Sequence, residues 1–156
     1  MLRELRAGDR APIERILRAT GMFLPEEIDV ALELVEIGLG LREGDGYHFI
    51  VAEQDGQVAG YACFGRCLMT DATWDLYWVA VDPAMQGRGI GVRLVRAVED
   101  ACRAAGARLL IIETAGKAEY EPTRAFYARI GYPEHARVKD YYRDGDDKIF
   151  YARRLR

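Results

Sequence analysis

The segment Val79–Val95, VAVDPAMQGRGIGVRLV, passes from a strand-like run through three glycines at alternate positions into a helix-like run. Core packing does not call for Gly87, Gly89 and Gly91 in that arrangement, because glycine weakens strands and helices alike. The cluster therefore has a backbone task. A glycine-rich turn from strand to helix presents unpaired N–H groups beside the positive end of the helix dipole, which makes an anion site, most often for phosphate. Two common phosphate loops do not fit. A P-loop closes on Gly-Lys-Ser/Thr, whereas Gly91 is followed by Val92-Arg93. A dinucleotide turn reads GxGxxG on the first strand of its unit, whereas this one reads GxGxG in mid-chain. The bland alternative is a tight turn that lets the helix pack closely, for which one glycine suffices.

Periodicity on either side of this junction predicts one domain over residues 1–156. MLRELR opens it as a short strand. Ile13, Ile16 and Leu17 have helical spacing, with Asp9 as a cap and Gly21 as a stop. A second helix starts at Pro25, Glu26 and Glu27 and carries the apolar stripe Ile28, Leu32 and Val35. The run YHFIVAEQDGQVAGYACFGRCL reads as a hairpin about Asp55-Gly56. TWDLYWVAV is a third strand of that region, rich in aromatic and β-branched residues. A helix over Val92–Ala105 follows, with Gly106 as its C-cap, then the buried strand RLLIIET and a short helix ending at Gly131. A closing hairpin turns at Asp144-Gly145. The order β, α, α, β, β, β, α, β, α, β, β is that of an α/β domain around a mixed sheet.

Composition narrows the function classes. A formal net charge of -3 gives no broad basic field, which argues against nucleic acid as a partner and leaves room for a cationic substrate. No apolar run approaches the ~18–20 residues of a membrane span, and the N-terminus has no apolar signal core. The odd count of three cysteines, Cys63, Cys67 and Cys102, has no disulfide framework spacing and reads as reduced thiols in a cytoplasmic protein. No second Cys/His cluster completes a metal site with Cys63 and Cys67, so no metal is expected. A homodimer is left open.

QGRGIG, Gln86 to Gly91, resembles the Q/R-x-x-G-x-G/A signature of the GNAT superfamily, the acetyl-CoA-dependent N-acetyltransferases. The strand WVAV before it is similar too. So is TRAFYARIGY, Thr123 to Tyr132, where the family pattern is loosely A-x-x-x-Y-x-x-x-G-F/Y and Thr123 takes the alanine place. With the flanking elements, the resemblance spans essentially the whole chain. It implies a GNAT-like mixed, mostly antiparallel central sheet, flanked by helices and splayed in the middle to hold coenzyme A. Backbone N–H groups from Gly87, Arg88, Gly89, Ile90, Gly91 and Val92 would hold the pyrophosphate of acetyl-CoA, the co-substrate, with Arg88 screening its charge. Val79, Ala80 and Val81 would pair with the pantetheine arm while RLLIIET diverges from them.

Acetyl transfer to an amine needs a neutral amine, a polarised thioester carbonyl and a protonated leaving thiolate. The resemblance assigns the carbonyl to a backbone N–H near Val79 and the thiolate to Tyr127. Read without the family, Tyr127 is equally a core aromatic beside Phe126. For the base, alternation puts Thr73, Asp75, Tyr77, Val79 and Val81 on one strand face, and Asp75 falls where some members carry a strand glutamate. Glu113 falls where others carry theirs, and it is preferred because RLLIIET is otherwise so apolar. One departure is Tyr120, standing where the family often has asparagine seven residues before the tyrosine; Tyr120 and Arg124 then become candidate contacts to coenzyme A or the acceptor. The acceptor reads as a small-molecule or peptide amine. KDYYRDGDD is mildly similar to the hairpin by which protein N-terminal acetyltransferases grip a peptide. Asp29, Glu33 and Glu36 form an acidic helix stripe that either steers a cation or is ordinary solvated surface. A non-catalytic acetyl-CoA sensor on the same fold is the competing class.

Overall fold

Asp55 and Gly56 both take positive φ, 53° and 75°, as a two-residue type I′ hairpin turn requires. From this hairpin a seven-stranded sheet extends through residues 1–156 of the computed structural model, in the order β1-β2-β3-β4-β5-β7-β6. The strands are β1 (Leu2–Arg3), β2 (His48–Gln54), β3 (Gln57–Arg66), β4 (Thr73–Val81), β5 (Leu109–Ala115), β6 (Glu134–Arg143) and β7 (Asp146–Arg154). The helices are α1 (Arg10–Thr20), α2 (Pro25–Gly38), α3 (Ile90–Ala104) and α4 (Glu121–Arg129). Only β4 and β5 are parallel, and the α3 crossover between them makes that pairing reachable. The element order is the one the sequence predicts.

The sheet separates two cores. Ile13, Ile16 and Leu17 of α1 and Ile28, Leu32 and Val35 of α2 pack on one face against Val51, Tyr61 and Cys63. Ile90, Leu94, Val95 and Val98 of α3 pack on the other with Tyr127 and Ile130 of the α4 segment and Ile149 and Tyr151 of β7. Both helix stripes follow the 3.6-residue period, which is why they were legible in the sequence. Gly21 takes φ 63° and ends α1 in the left-handed conformation.

Three expectations are corrected. Asp9 does not cap α1 with its side chain. Its carboxylate instead accepts from Arg3 Nη1 and Nη2, at 2.7 and 2.9 Å, and from the Arg6 amide at 2.7 Å. That ties the first strand to the loop. Helix α3 starts at Ile90 rather than Val92, because Gly89 takes the N-cap in the left-handed region, φ 74°. The alternation expected along β4 also breaks. Cys63 pairs with Trp78 but Phe64 pairs with Leu76, so Tyr77 is an extra residue, a β-bulge. Beyond it the faces exchange, and Val79 and Val81 lie on the α3 side with Trp74 and Leu76.

The α3 face holds one buried carboxylate, Glu99, at 1% exposure. It accepts from Arg96 Nη1 at 2.8 and 3.0 Å, from Arg103 Nη2 at 3.3 Å and from the Tyr132 hydroxyl at 2.9 Å. Burial and the neighbouring carboxylate push the Tyr132 phenol up, so it remains a donor. Arg96 Nη2 and Arg153 Nη1 both donate to the Ile130 carbonyl, which joins α3, the end of α4 and β7 at one point. Glu99→Gln is expected to cost about 2 kcal/mol, since a charged acceptor of several bonds is lost while the arginines still reach water. Urea unfolding measures it. A cost under about 0.5 kcal/mol, the range of ordinary surface substitutions, would reduce the network to solvated pairs.

Candidate active site

The parallel ladder runs from Thr73↔Leu109 to Leu76↔Ile112 and stops, although β4 continues to Val81 and β5 to Ala115. Two local causes hold the strands apart. On β4 the bulge at Tyr77 falls immediately after the last pair, where it adds twist. On β5 the end is bound away from β4. Gly116 N donates to the Asp147 carbonyl at 2.8 Å, and Arg124 Nη1 donates to the Ala115 and Lys117 carbonyls at 3.0 and 2.8 Å. The parted strands open a cleft of about 580 Å³, walled by the α1–α2 loop, β4, the end of β5, α4 and the β6–β7 hairpin. Backbone groups of Tyr77–Val81 facing β5 find no strand partner there.

The glycine turn lies at one end of this cleft, where Gln86 is part of the lining. Gly87 and Gly89 have φ 75° and 74°, a conformation that side chains strain to adopt. None of the six amides from Gly87 to Val92 donates to a backbone carbonyl, and all stand at the N-terminus of the 15-residue α3. Gly91 has a different task. A Cβ there would stand 3.3 Å from the Phe126 ring, so this glycine lets α3 approach α4. The packing and anion readings thus divide among the three glycines. Asp82 fixes the approach, accepting from the Ala84 amide at 3.0 Å and pairing with Arg15 at 2.7 Å.

Tyr127 reaches the cleft from α4. Its ring is buried against Tyr132 and Tyr151, while its hydroxyl has no hydrogen-bond partner in the chain and is not sealed from solvent. Burial, and secondarily Tyr151, raise its pKa above the ordinary tyrosine value, so it holds its proton through the neutral range. Glu113 lines the cleft from β5, its side chain 45% exposed and its Oε2 paired with Lys148 Nζ at 2.6 Å. Asp75 is partnered in register with Ile111, which puts it on the same sheet face as Glu113, but outside the cleft lining. Burial first, then the Glu113 charge, raises the Asp75 pKa.

The cleft brings together Val79, Ala80, Val81, Gln86, Glu113, Tyr120 and Tyr127. Tyr120 donates its hydroxyl to the Met22 carbonyl at 3.3 Å and so bridges the two walls; burial pushes its phenol up to about 12. Arg124 lies outside the lining, with Nη1 committed to the β5 end. The acidic stripe is also elsewhere. Glu33 pairs with Arg42 at 3.2 Å and Glu36 with Arg10 at 2.8 Å, and neither lines the cleft. Of the α2 carboxylates, Glu27 is the one at the cleft.

Sequence reasoning missed Phe23 and Trp78, which meet edge-to-face at 5.2 Å on the α1–α2 side of the lining, whereas the lining residues Tyr142 and Asp146 belong to the KDYYRDGDD hairpin it had singled out. The apolar MFLP stretch in a loop was the available signal for Phe23. The three cysteines are free thiols, and no group of three or more His, Cys, Asp or Glu is arranged to hold a metal ion. No helix is long and apolar enough to cross a membrane.

Comparison with known proteins agrees with this fold. Residues 13–132 match the model of the acetyltransferase (GNAT) family. A Bacillus subtilis protein bearing the name [ribosomal protein bS18]-alanine N-acetyltransferase is 31% identical over 110 residues, covering 70% of each chain. A GNAT-family crystal structure from Desulfovibrio desulfuricans is 43% identical, with TM-score 0.95 over 100% of this chain and 99% of that one. A Salmonella typhimurium protein solved with its cofactor acetyl-CoA is 24% identical, with TM-score 0.77 over 100% of this chain and 94% of that one, a likeness of fold.

Asp75 generates a stability prediction. Its folded pKa is raised, so the protonated form is favoured by folding, and that stability is fully present below the unfolded value of ~3.9. It is lost as pH rises through the folded value. Asp75→Asn removes the charge and is expected to raise Tm at pH 7 by about 2 °C, with the gap closing as pH falls through the raised folded value and gone below about 4. Thermal melts across pH test this; a lowered Tm at pH 7 would show the Asp75 charge to be stabilising.

Proposed function

Since this chain belongs to the GNAT family of N-acetyltransferases, we propose that it moves the acetyl group of acetyl-CoA to a primary amine by direct attack, with Glu113 as base and Tyr127 as acid. The interrupted β4–β5 ladder carries the reading. It gives one cleft free amides near the glycine turn, a protonated phenol from α4 and a carboxylate from β5. The residues fit coenzyme A chemically. Amides Gly87–Val92 suit a pyrophosphate, and the unpaired edge Val79–Val81 suits the amide groups of a pantetheine arm.

In this mechanism Glu113 takes a proton from the acceptor ammonium, directly or through water, leaving a nucleophilic nitrogen. The nitrogen forms the C–N bond to the thioester carbonyl, whose oxygen is met by the backbone N–H near Val79. The C–S bond then breaks, Tyr127 protonates the sulfur, and the second proton shed by the acylated nitrogen restores the Tyr127 phenol through water, leaving the amide. Asp75 is the second carboxylate of the site, behind Glu113 on the same face. The acceptor we favour is a peptide-borne α-amine. The name of the Bacillus subtilis relative supports that choice, as does Tyr142 in the lining beside the exposed Tyr141. Thiol release from acetyl-CoA, read over alanine-initiated peptides and small amines, tests it. Coenzyme binding without turnover of any amine would favour the sensor reading.

Two variants separate the parts. Gly89→Glu puts a strained side chain and a like charge at the turn and is expected to abolish acetyl-CoA binding. Arg88→Ala should weaken it only by about 1 kcal/mol, as for one exposed phosphate contact. Undiminished calorimetric binding by Gly89→Glu would overturn the pyrophosphate assignment. Tyr127→Phe keeps the ring packing and removes the hydroxyl; kcat is expected to fall about 10²–10⁴-fold with acetyl-CoA affinity nearly unchanged. Stability and activity lost together would return Tyr127 to the core.

A further inference from the structure

The Lys148 ammonium sits in a small box. Glu113 Oε2 is 2.6 Å from Nζ, the Tyr141 ring centroid is 4.6 Å away and the Phe150 centroid 5.2 Å away. One carboxylate and two aromatic faces around one point are the chemistry that recognises an ammonium ion. The box opens to the cleft, because Glu113 is part of the lining and nearly half exposed, while Lys148 itself stands behind that lining and is not part of it. Lys148 arrives from β7 on a flexible four-carbon stem, with water close at hand for its head if it leaves.

We propose that Glu113, Tyr141 and Phe150 form an ammonium-binding subsite that Lys148 fills in cis, and that the acceptor's primary ammonium enters by displacing it. The inference rests on the reading of Glu113 as the acceptor-side carboxylate. Lys148 is then a specificity-setting residue that acts through Glu113. An acceptor binds only the fraction of molecules whose box is open, so its apparent affinity is lowered by that fraction. Acceptors whose cation is held elsewhere as well, as along a peptide, meet that competition best. Solvent-borne alkali ions and weak amines are kept off the base.

The test compares the full chain with Lys148→Met, which keeps the stem packed on the two rings and removes the charge, and with Lys148→Arg, which keeps it. For an accepted amine, KM is expected to fall about five- to tenfold in Lys148→Met, with KM for acetyl-CoA unchanged. Lys148→Arg should stay near the parent. Tetramethylammonium, which cannot be acetylated, should inhibit Lys148→Met at proportionately lower concentration, and adding Glu113→Gln should remove that gain in tetramethylammonium binding as read by saturation-transfer NMR, which does not depend on turnover. Lys148→Gln serves in place of Lys148→Met if melting shows the latter unfolded. An unchanged or raised amine KM in the charge-free variant overturns the proposal and leaves Lys148 a structural brace or an acceptor contact. If the parent turns over no amine, the proposed function fails first. Tetramethylammonium binding by saturation-transfer NMR then still decides the box: tighter binding without the Lys148 charge supports it, equal binding overturns it.

Discussion

Everything at the cleft depends on a strand pair that stops pairing. A sheet ordinarily satisfies each backbone N–H and C=O with its neighbour, and an interior strand left open is a cost to be met by something else. Here β4 keeps its ladder with β3 to its end while its other edge is released after Leu76. The released edge is affordable only because it borders an open cleft and not a core. Both causes are local. The Tyr77 bulge redirects β4, and the Arg124, Gly116 and Asp146 contacts hold β5 toward β7, with Lys117 N donating to Asp146 Oδ1 at 3.1 Å.

The parts on either side of the opening must also keep their spacing. The turn amides belong to α3 and the Tyr127 hydroxyl to α4, so the distance between the two chemistries is a helix–helix distance. Gly91 allows the close approach of those helices at one end. The Ile130 carbonyl, gripped by Arg96 from α3 and Arg153 from β7, fixes it at the other. Buried Glu99 holds the arginine fork in place. This explains a carboxylate in an otherwise apolar helix stripe: its work is to orient donors that set the geometry of the cleft.

Much of this was legible in the sequence, for definable reasons. Element order came through because helix and strand periods are local, and Asp55-Gly56 and the turn glycines announce backbone conformations that few other residues adopt. The backbone form of the turn at Gly87 and Gly89 followed because positive φ is written in glycines. What failed was non-local. Nothing in TWDLYWVAV marks Tyr77 as the bulged residue, since a bulge is set by the register with β3; a strict period-two reading therefore put Val79 on the wrong face. Asp9 looked like a cap because its true partner, Arg3, becomes near only after folding. Glu33 and Glu36 formed a stripe on paper, yet Arg42 and Arg10 answer it from other segments. Lys148 was passed over for the same reason, lying 35 positions from Glu113 in the chain and one strand away in the sheet.

That strand neighbour decides how the two carboxylates divide their roles. Asp75 and Glu113 share a face, and each ionised carboxylate makes the other's charge more costly. One ammonium, Lys148, is within reach of both, bonded to Glu113 and only distantly attractive to Asp75. Burial is the largest single influence and works against the Lys148 charge, but the Glu113 hydrogen bond and charge, with Tyr142 and Tyr141, together outweigh it and hold the ammonium above its usual pKa. The compensation is therefore concentrated on Glu113, the carboxylate the cleft can use, while Asp75 is left half-buried with a raised pKa behind it. A cation that takes the place of Lys148 inherits the same compensation, and as its proton passes to Glu113 the pair becomes a neutral amine and a neutral carboxyl, so no second cation is needed at that stage. When Glu113 later gives up that proton to water its carboxylate is charged again, and a lysine on a flexible stem at the edge of the box is the cation that meets it.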